Sequence, residues 1–196
     1  MNWQQPIILA SGSTRRAALL SQSGIVAKIS PPTFDDGVFA CGTMKVERWV
    51  QSLAMLKAKN VLSDCKERAG TILAADTVCV VDGQILGQPK SKEHAGNMLR
   101  AMLDQSHQVY TGWCLCSVES NCVISEFEQS EIQIGFVDDE EIEKYLVTDN
   151  WKGKAGGYNL SERVDAGWPI VCIGDPTNVM GLPMNRLNQE LAGDMS

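Results

Sequence analysis

Ile7-Ile8-Leu9-Ala10-Ser11-Gly12-Ser13-Thr14-Arg15-Arg16 is the stretch on which the reading of the whole chain turns. Four apolar residues stop abruptly at Ser-Gly-Ser, which reads as a short buried strand running into a turn. A helix is expected from Thr14 to about Gln22, with Gly24 as its stop signal. A strand, a tight loop and a helix N-terminus in that order present several backbone N–H groups to one point, a ready site for an anion. Arg15 and Arg16 fall in the first helical turn. Cations there oppose the helix dipole, at a cost of roughly a few tenths of a kcal/mol each when exposed. A bound phosphate would reverse that sign. The same residues also fit a plain serine N-cap followed by two solvated arginines, and local physics does not choose between the two.

Working outward, Lys28 to Pro32 reads as the end of a second strand. Thr43 to about Ser63 reads as a long amphipathic helix with Val46, Val50, Leu53, Ala54 and Val61 on one face. Thr71 to Val81 is a strand broken only by Asp76-Thr77. Asp82-Gly83 signals a hairpin and Gln84–Leu86 its return. A helix is expected from Lys92 to about Leu103. Two long strands follow, Val109–Val118 and Val123–Phe136, joined near Ser120-Asn121. Asp138 to about Val147 reads as a helix with an acidic first turn, as the dipole prefers. Gly153 to Asp165 reads as irregular, Pro169–Ile173 as a strand, and Leu182 to Leu191 as a final helix. Strands and helices alternate without a strict βαβ period, which predicts an α/β fold on a mixed, twisted sheet.

Bulk properties exclude several classes. The chain has 196 residues, suiting one domain or one two-lobed unit, and 44% of them are hydrophobic, enough for a substantial core. Its formal net charge of −7 gives the wrong field for non-specific binding to nucleic acid or to an anionic membrane. The seven cysteines are odd in number, and several lie in apolar runs. Cys114-Leu115-Cys116 has no partner pair and the chain has two histidines, so no zinc spacing is present. The expectation is a reduced, cytoplasmic protein whose first residues are not a signal peptide and which has no membrane span. There is no Gly-x-Gly-x-x-Gly fingerprint, no Gly-x-x-x-x-Gly-Lys phosphate loop and no Gly-x-Ser-x-Gly elbow.

Asp76 is the sharpest single feature. A carboxylate between Leu73-Ala74-Ala75 and Val78-Cys79-Val80-Val81 is costly to bury ionised without a partner. It should face a cleft, a cation or a metal, or else cap a bulge in its strand. Lys57 falls on the buried stripe of the long helix, where a lysine either snorkels out or meets an anion. Weaker candidates are Asp35-Asp36 before Gly37, Lys90 in the Gly87-Gln88-Pro89-Lys90 turn, and Lys154 in a glycine-rich stretch ending at Tyr158. His94 and His107 are expected to carry no chemistry.

Together these pieces resemble the Maf family of nucleotide pyrophosphatases, also called septum-formation inhibitor-like proteins. The resemblance rests on Leu9 to Arg16, Leu53-Ala54-Met55-Leu56-Lys57-Ala58, Ala75-Asp76-Thr77-Val78 and Leu86-Gly87-Gln88-Pro89. It continues through His107-Gln108-Val109-Tyr110-Thr111-Gly112, Lys154-Ala155-Gly156-Gly157-Tyr158 and Asn178-Val179-Met180-Gly181-Leu182-Pro183. It implies an elongated fold like that of inosine triphosphate pyrophosphatases, one domain over residues 1–196 with a cleft between two lobes. It also implies a divalent cation, Mg²⁺ or Mn²⁺, and a homodimer. Asp76 would then be the proton acceptor and, with Asp36, a metal ligand. Ser11, Arg15, Arg16 and Lys57 would hold the triphosphate, with Thr77, Gln88, Lys90, Lys154 and Ser161 also at the substrate. The dTTP/UTP subgroup carries arginine and threonine at Arg15 and Thr77, where the 7-methyl-GTP subgroup tends to have tryptophan and glutamine. Three positions depart from the family's habit. Asp36 replaces a glutamate and reaches roughly 1.5 Å less. Gln88 replaces a lysine, with Lys90 as the nearest substitute, and Ser161 replaces a glutamine. The resemblance thus implies a dTTP/UTP pyrophosphatase. A modified-purine triphosphate enzyme and a weakened nucleotide-binding or cell-division regulator are the alternatives.

Overall fold

A computed structural model describes residues 3–120 and 123–192 of the chain. The expected junction at Asn121 lies outside the described residues. The elements are β1 (Ile7–Leu9), α1 (Thr14–Gln22), β2 (Ala27–Ile29), α2 (Val46–Asp64), β3 (Thr71–Val81), β4 (Gln84–Leu86) and α3 (Lys92–Ala101). They continue as β5 (Gln105–Ser117), β6 (Val123–Ile134), α4 (Asp139–Val147), α5 (Leu160–Asp165), β7 (Ile170–Ile173), α6 (Pro176–Val179) and α7 (Met184–Ala192). The sheet runs β2-β1-β3-β5-β6-β7, with β4 beside β3. β1 pairs in parallel with β2 and β3, while β3–β4 and β6–β7 are antiparallel, so the sheet is mixed as expected.

The chain forms two compact units. The first comprises Met1–Asp76, Thr111–Glu128 and Gly181–Ser196, the second Thr77–Tyr110 and Gln129–Met180. The first has a core of small side chains: Ala54, Ala58 and Val61 of α2 meet Ile8, Ile72, Ala74, Cys114 and Cys116 of the strands. Small residues on both sides let α2 lie close to β5. At Gly112 the approach is closest, since a Cβ there would stand 2.2 Å from the Val50 carbonyl carbon. The second unit packs larger groups, among them Leu99, Ile132, Ile142, Tyr145, Trp151 and Trp168.

One expectation is corrected. Gly153–Asp165 is not irregular throughout: it holds a short 3-10 turn at Ala155–Gly157 and then α5, whose first turn is capped by the Asn159 side chain accepting from the Glu162 N–H. Three glycines hid a helix that begins only after them. His107, for which no chemistry is expected, has a structural place. It is fully buried inside β5, with Nε2 2.8 Å from the Tyr158 hydroxyl, tying the His107–Gly112 motif to the Lys154–Tyr158 motif.

Burial pushes His107 down from 6.5 to about 4. A base with a depressed folded pKa binds fewer protons than the unfolded chain between those values. Its stability is therefore present above pH 6.5 and is lost as pH falls from 6.5 towards 4, by about 3 kcal/mol in all. His107→Gln should lose that part of the acid sensitivity in urea denaturation. An unchanged difference between pH 7.5 and pH 4 would rule this role out.

Candidate functional site

The turn after β1 builds one side of the site. Ser11 is buried, and its Oγ accepts from the Ser13 N–H at 3.2 Å and from Arg16 Nη1 at 3.1 Å. Ser13 is the N-cap of α1, yet its own side chain makes no capping hydrogen bond. The plain serine-cap reading therefore does not describe this turn. Arg16 is aimed inward instead of into solvent, and its Nε donates to the Gly181 carbonyl at 2.9 Å. Burial lowers the Arg16 pKa, partly offset by the charges of Asp76 and Asp36, while neighbouring Arg15 pushes it further down. A guanidinium opposed by burial and by a second arginine gains more from an arriving anion than a solvated one does.

Lys57 and Asp76 meet on the other side. Lys57 is carried on the buried face of α2 with Val50, Leu53, Ala54, Ala58 and Val61, and it does not snorkel. Its Nζ donates to Asp76 Oδ1 at 2.6 Å and also pairs with Asp36 Oδ2. Asp36 arrives from a 3-10 turn, Asp36–Val38, whose preceding Asp35 accepts from the Gly37 N–H at 2.9 Å. That loop is pinned to α2 where the Thr33 N–H donates to Asn60 Oδ1 at 2.8 Å. Burial drives Asp76 above the ordinary carboxylate value, with Asp36 adding to the rise and Lys57 and Arg16 holding it back. Burial pushes Asp36 up as well, but the Lys57 hydrogen bond and charge, with a hydrogen bond to Asp76, win and leave it low. The two carboxyl groups are thus shifted in opposite directions, Asp76 up by burial and Asp36 down by Lys57 and Asp76.

Ser11, Arg16, Asp36, Lys57 and Asp76 therefore belong to one cluster, with Arg15 acting on it through its charge. All lie in the first unit. Thr77, Gln88, Lys90, Lys154 and Ser161 lie in the second. There the Gly156 N–H donates to the Gly87 carbonyl at 3.1 Å, holding the Lys154–Tyr158 stretch against the turn that carries Gln88 and Lys90. Gln88, Lys90 and Ser161 are exposed. Ser161 Oγ donates to Asn159 Oδ1 at 2.8 Å, and the Lys90 N–H donates to His94 Nδ1 at 3.3 Å. Lys154 is buried and its ammonium is paired with Glu162. Glu162 was not expected at a site, and only its spacing from a glycine-rich lysine motif could have signalled it. Thr77 is half-buried next to Asp76 in β3.

Two arginines at a helix N-terminus, a buried lysine and two carboxyl groups are the residue types that handling an anion beside a base would call for. The family model described as Maf-like protein matches residues 6–193, and the chain belongs to that family. Similar curated proteins carry the name dTTP/UTP pyrophosphatase. That of Rhodopirellula baltica is 35% identical over 95% of this chain and 81% of its own length. That of Salinibacter ruber is 37% identical over 95% and 89%, and that of Halalkalibacterium halodurans 38% identical over 93% and 92%. Among solved structures, the nucleoside-triphosphatase / dITP/XTP pyrophosphatase of Mycobacterium abscessus is similar at a TM-score of 0.41 and 15% identity, covering 65% of this chain and 72% of that one. No helix of the described residues is long and apolar enough to cross a membrane.

Proposed function

We propose that the protein hydrolyses a nucleoside triphosphate, dTTP or UTP, to the monophosphate and pyrophosphate. The observation that carries this is Asp76, buried and raised in pKa, in contact with Lys57 and within reach of the charge of Arg16. Asp76 takes the proton of a water whose oxygen attacks phosphorus. The anhydride bond breaks and pyrophosphate leaves. Ser11, Arg15, Arg16 and Lys57 hold the triphosphate and offset the charge that develops on its oxygens. The family resemblance assigns Thr77, Gln88, Lys90, Lys154 and Ser161 to the substrate as well.

Asp36 and Asp76 would hold a divalent cation, Mg²⁺ or Mn²⁺. Their fit is chemical: two hard carboxylates whose oxygens converge on one ammonium. That is the sparse oxygen set with which Mg²⁺ is usually bound, the remaining positions coming from water and phosphate. When bound, such an ion supplies charge neutralisation at the phosphates. A cytoplasmic homodimer is part of the same reading and rests on the family resemblance.

A panel of nucleoside triphosphates with Mg²⁺ and pyrophosphate detection tests this. dTTP and UTP should be cut at least about tenfold more efficiently than 7-methyl-GTP. Release from no nucleotide in the panel would refute the reading. A second reading, binding without turnover, is favoured by one observation: Gln88, where the family has lysine, is an exposed neutral side chain. Gln88→Lys should raise kcat/KM several-fold, on the order of 1 kcal/mol of added charge stabilisation. Turnover that appears only in that variant would favour the second reading.

A further inference from the structure

Lys57 is asked to do two incompatible things. As a triphosphate ligand it must offer its ammonium to phosphate. In the structure that ammonium is already committed to Asp76 Oδ1 at 2.6 Å and to Asp36 Oδ2. Lys57 and Asp76 are well removed from water, their side chains 10% and 11% exposed, while that of Asp36 is 36% exposed. In such surroundings an ammonium between two carboxylates is held firmly, and its charge is fully used.

We propose that Lys57 is the stand-in cation of this site. In the free protein it fills the place between Asp36 and Asp76 that a divalent ion takes when the site is loaded, and it is released to the triphosphate by that exchange. The inference rests on the reading that Asp36 and Asp76 are the cation ligands. Three features support it. First, the ammonium contacts both carboxylates at once, so a cation shared by them would have to displace it. Second, the two carboxylates, with no third ligand of that kind among the described residues, leave most of an ion's shell to water and phosphate oxygens. Third, lysine's charge is a compact point on a flexible four-carbon stem, so it can swing from carboxylate to phosphate without the backbone moving.

The exchange makes ion and nucleotide cooperative. The ion frees Lys57 for phosphate, and phosphate gives the freed ammonium a partner. By linkage, whatever one does to the other's affinity is returned in equal measure. In the free protein the ammonium meanwhile offsets the charge of both carboxyl groups.

The test is Mn²⁺ binding without nucleotide, followed by the electron paramagnetic resonance of the free ion. Lys57→Met should bind Mn²⁺ at least about tenfold more tightly than wild type, a gain of about 1.4 kcal/mol, because the competing ammonium is gone. Equal or weaker binding in Lys57→Met, with binding abolished in Asp76→Asn, would overturn the stand-in role while leaving the ligand assignment intact. Unchanged Mn²⁺ binding in Asp76→Asn would overturn the ligand assignment and the stand-in role together. A second measurement avoids any folding defect of the variant. In wild-type protein labelled with ¹⁵N at lysine Nζ, one ammonium signal protected from exchange should lose its protection on adding Mg²⁺ alone. Mg²⁺ binding that leaves that signal unmoved would overturn the exchange.

Discussion

Asp76→Asn should release pyrophosphate from dTTP or UTP about 10³-fold more slowly than wild type. General base catalysis by a positioned side chain is worth about 10² to 10⁴ in rate, and here the same carboxylate also anchors Lys57. The amide keeps the shape and one acceptor oxygen but takes no proton at neutral pH. The loss should fall on kcat and on kcat/KM alike, since a proton acceptor is needed only on the way to the transition state. The fold should survive. Burial already disfavours the charge on Asp76, so removing it relieves a desolvation penalty, and Asp36 remains to pair with Lys57. A variant that melts like wild type and turns over within about twofold of it would strip Asp76 of the role.

The second large effect is structural. Gly112→Ala should destabilise the protein by about 3 kcal/mol or more. The added Cβ would stand 2.2 Å from the Val50 carbonyl carbon, 2.3 Å from its oxygen and 2.5 Å from the Gln51 nitrogen. Those are backbone atoms of α2, so no rotamer change can make room. The helix must shift, and the helix is what carries Lys57 to Asp76. In a chain of this size the change corresponds to a fall in Tm of about 6–12 °C. Gly87→Ala is the matched control, because a Cβ there meets nothing within 4 Å. Equal melting of the two variants would refute the close approach. Activity should fall further than stability alone explains, since a displaced α2 parts the lysine from both carboxylates.

Much of this was legible in the sequence because the signals were local. Helix α1 spans the expected residues, Thr14–Gln22, because Ser-Gly-Ser and Gly24 bracket it. Strand β3 matches Thr71–Val81 because an apolar run ending in Asp82-Gly83 has few other ways to fold. Asp82 and Gly83 both take positive φ, 48° and 75°, as a tight hairpin turn demands. Helix α2 begins at Val46, three residues later than expected, because Thr43 is not its cap; Lys45 holds that position without a side-chain bond. What could not be read was long-range pairing. Periodicity placed Lys57 on a buried stripe but left open whether it escapes to water, and only the fold shows it between Asp36 and Asp76. The Lys154–Glu162 pair and the His107–Tyr158 contact belong to the same class: each partner looks ordinary until the chain brings the other near.

The buried thiols have a further use. Burial lifts Cys79 and Cys114 to about 12, so at neutral pH neither is a nucleophile while folded. Cys79 lies in the core of the second unit and Cys114 in that of the first. An alkylating reagent can therefore reach each only when its own unit opens, and the rate at which each sulphur is tagged is a clock for that opening. Each core carries at least one such clock, and Cys116 lies with Cys114 in the first. Peptide mass spectrometry on a single labelled sample would time the two units separately, and would show which of them lets go first.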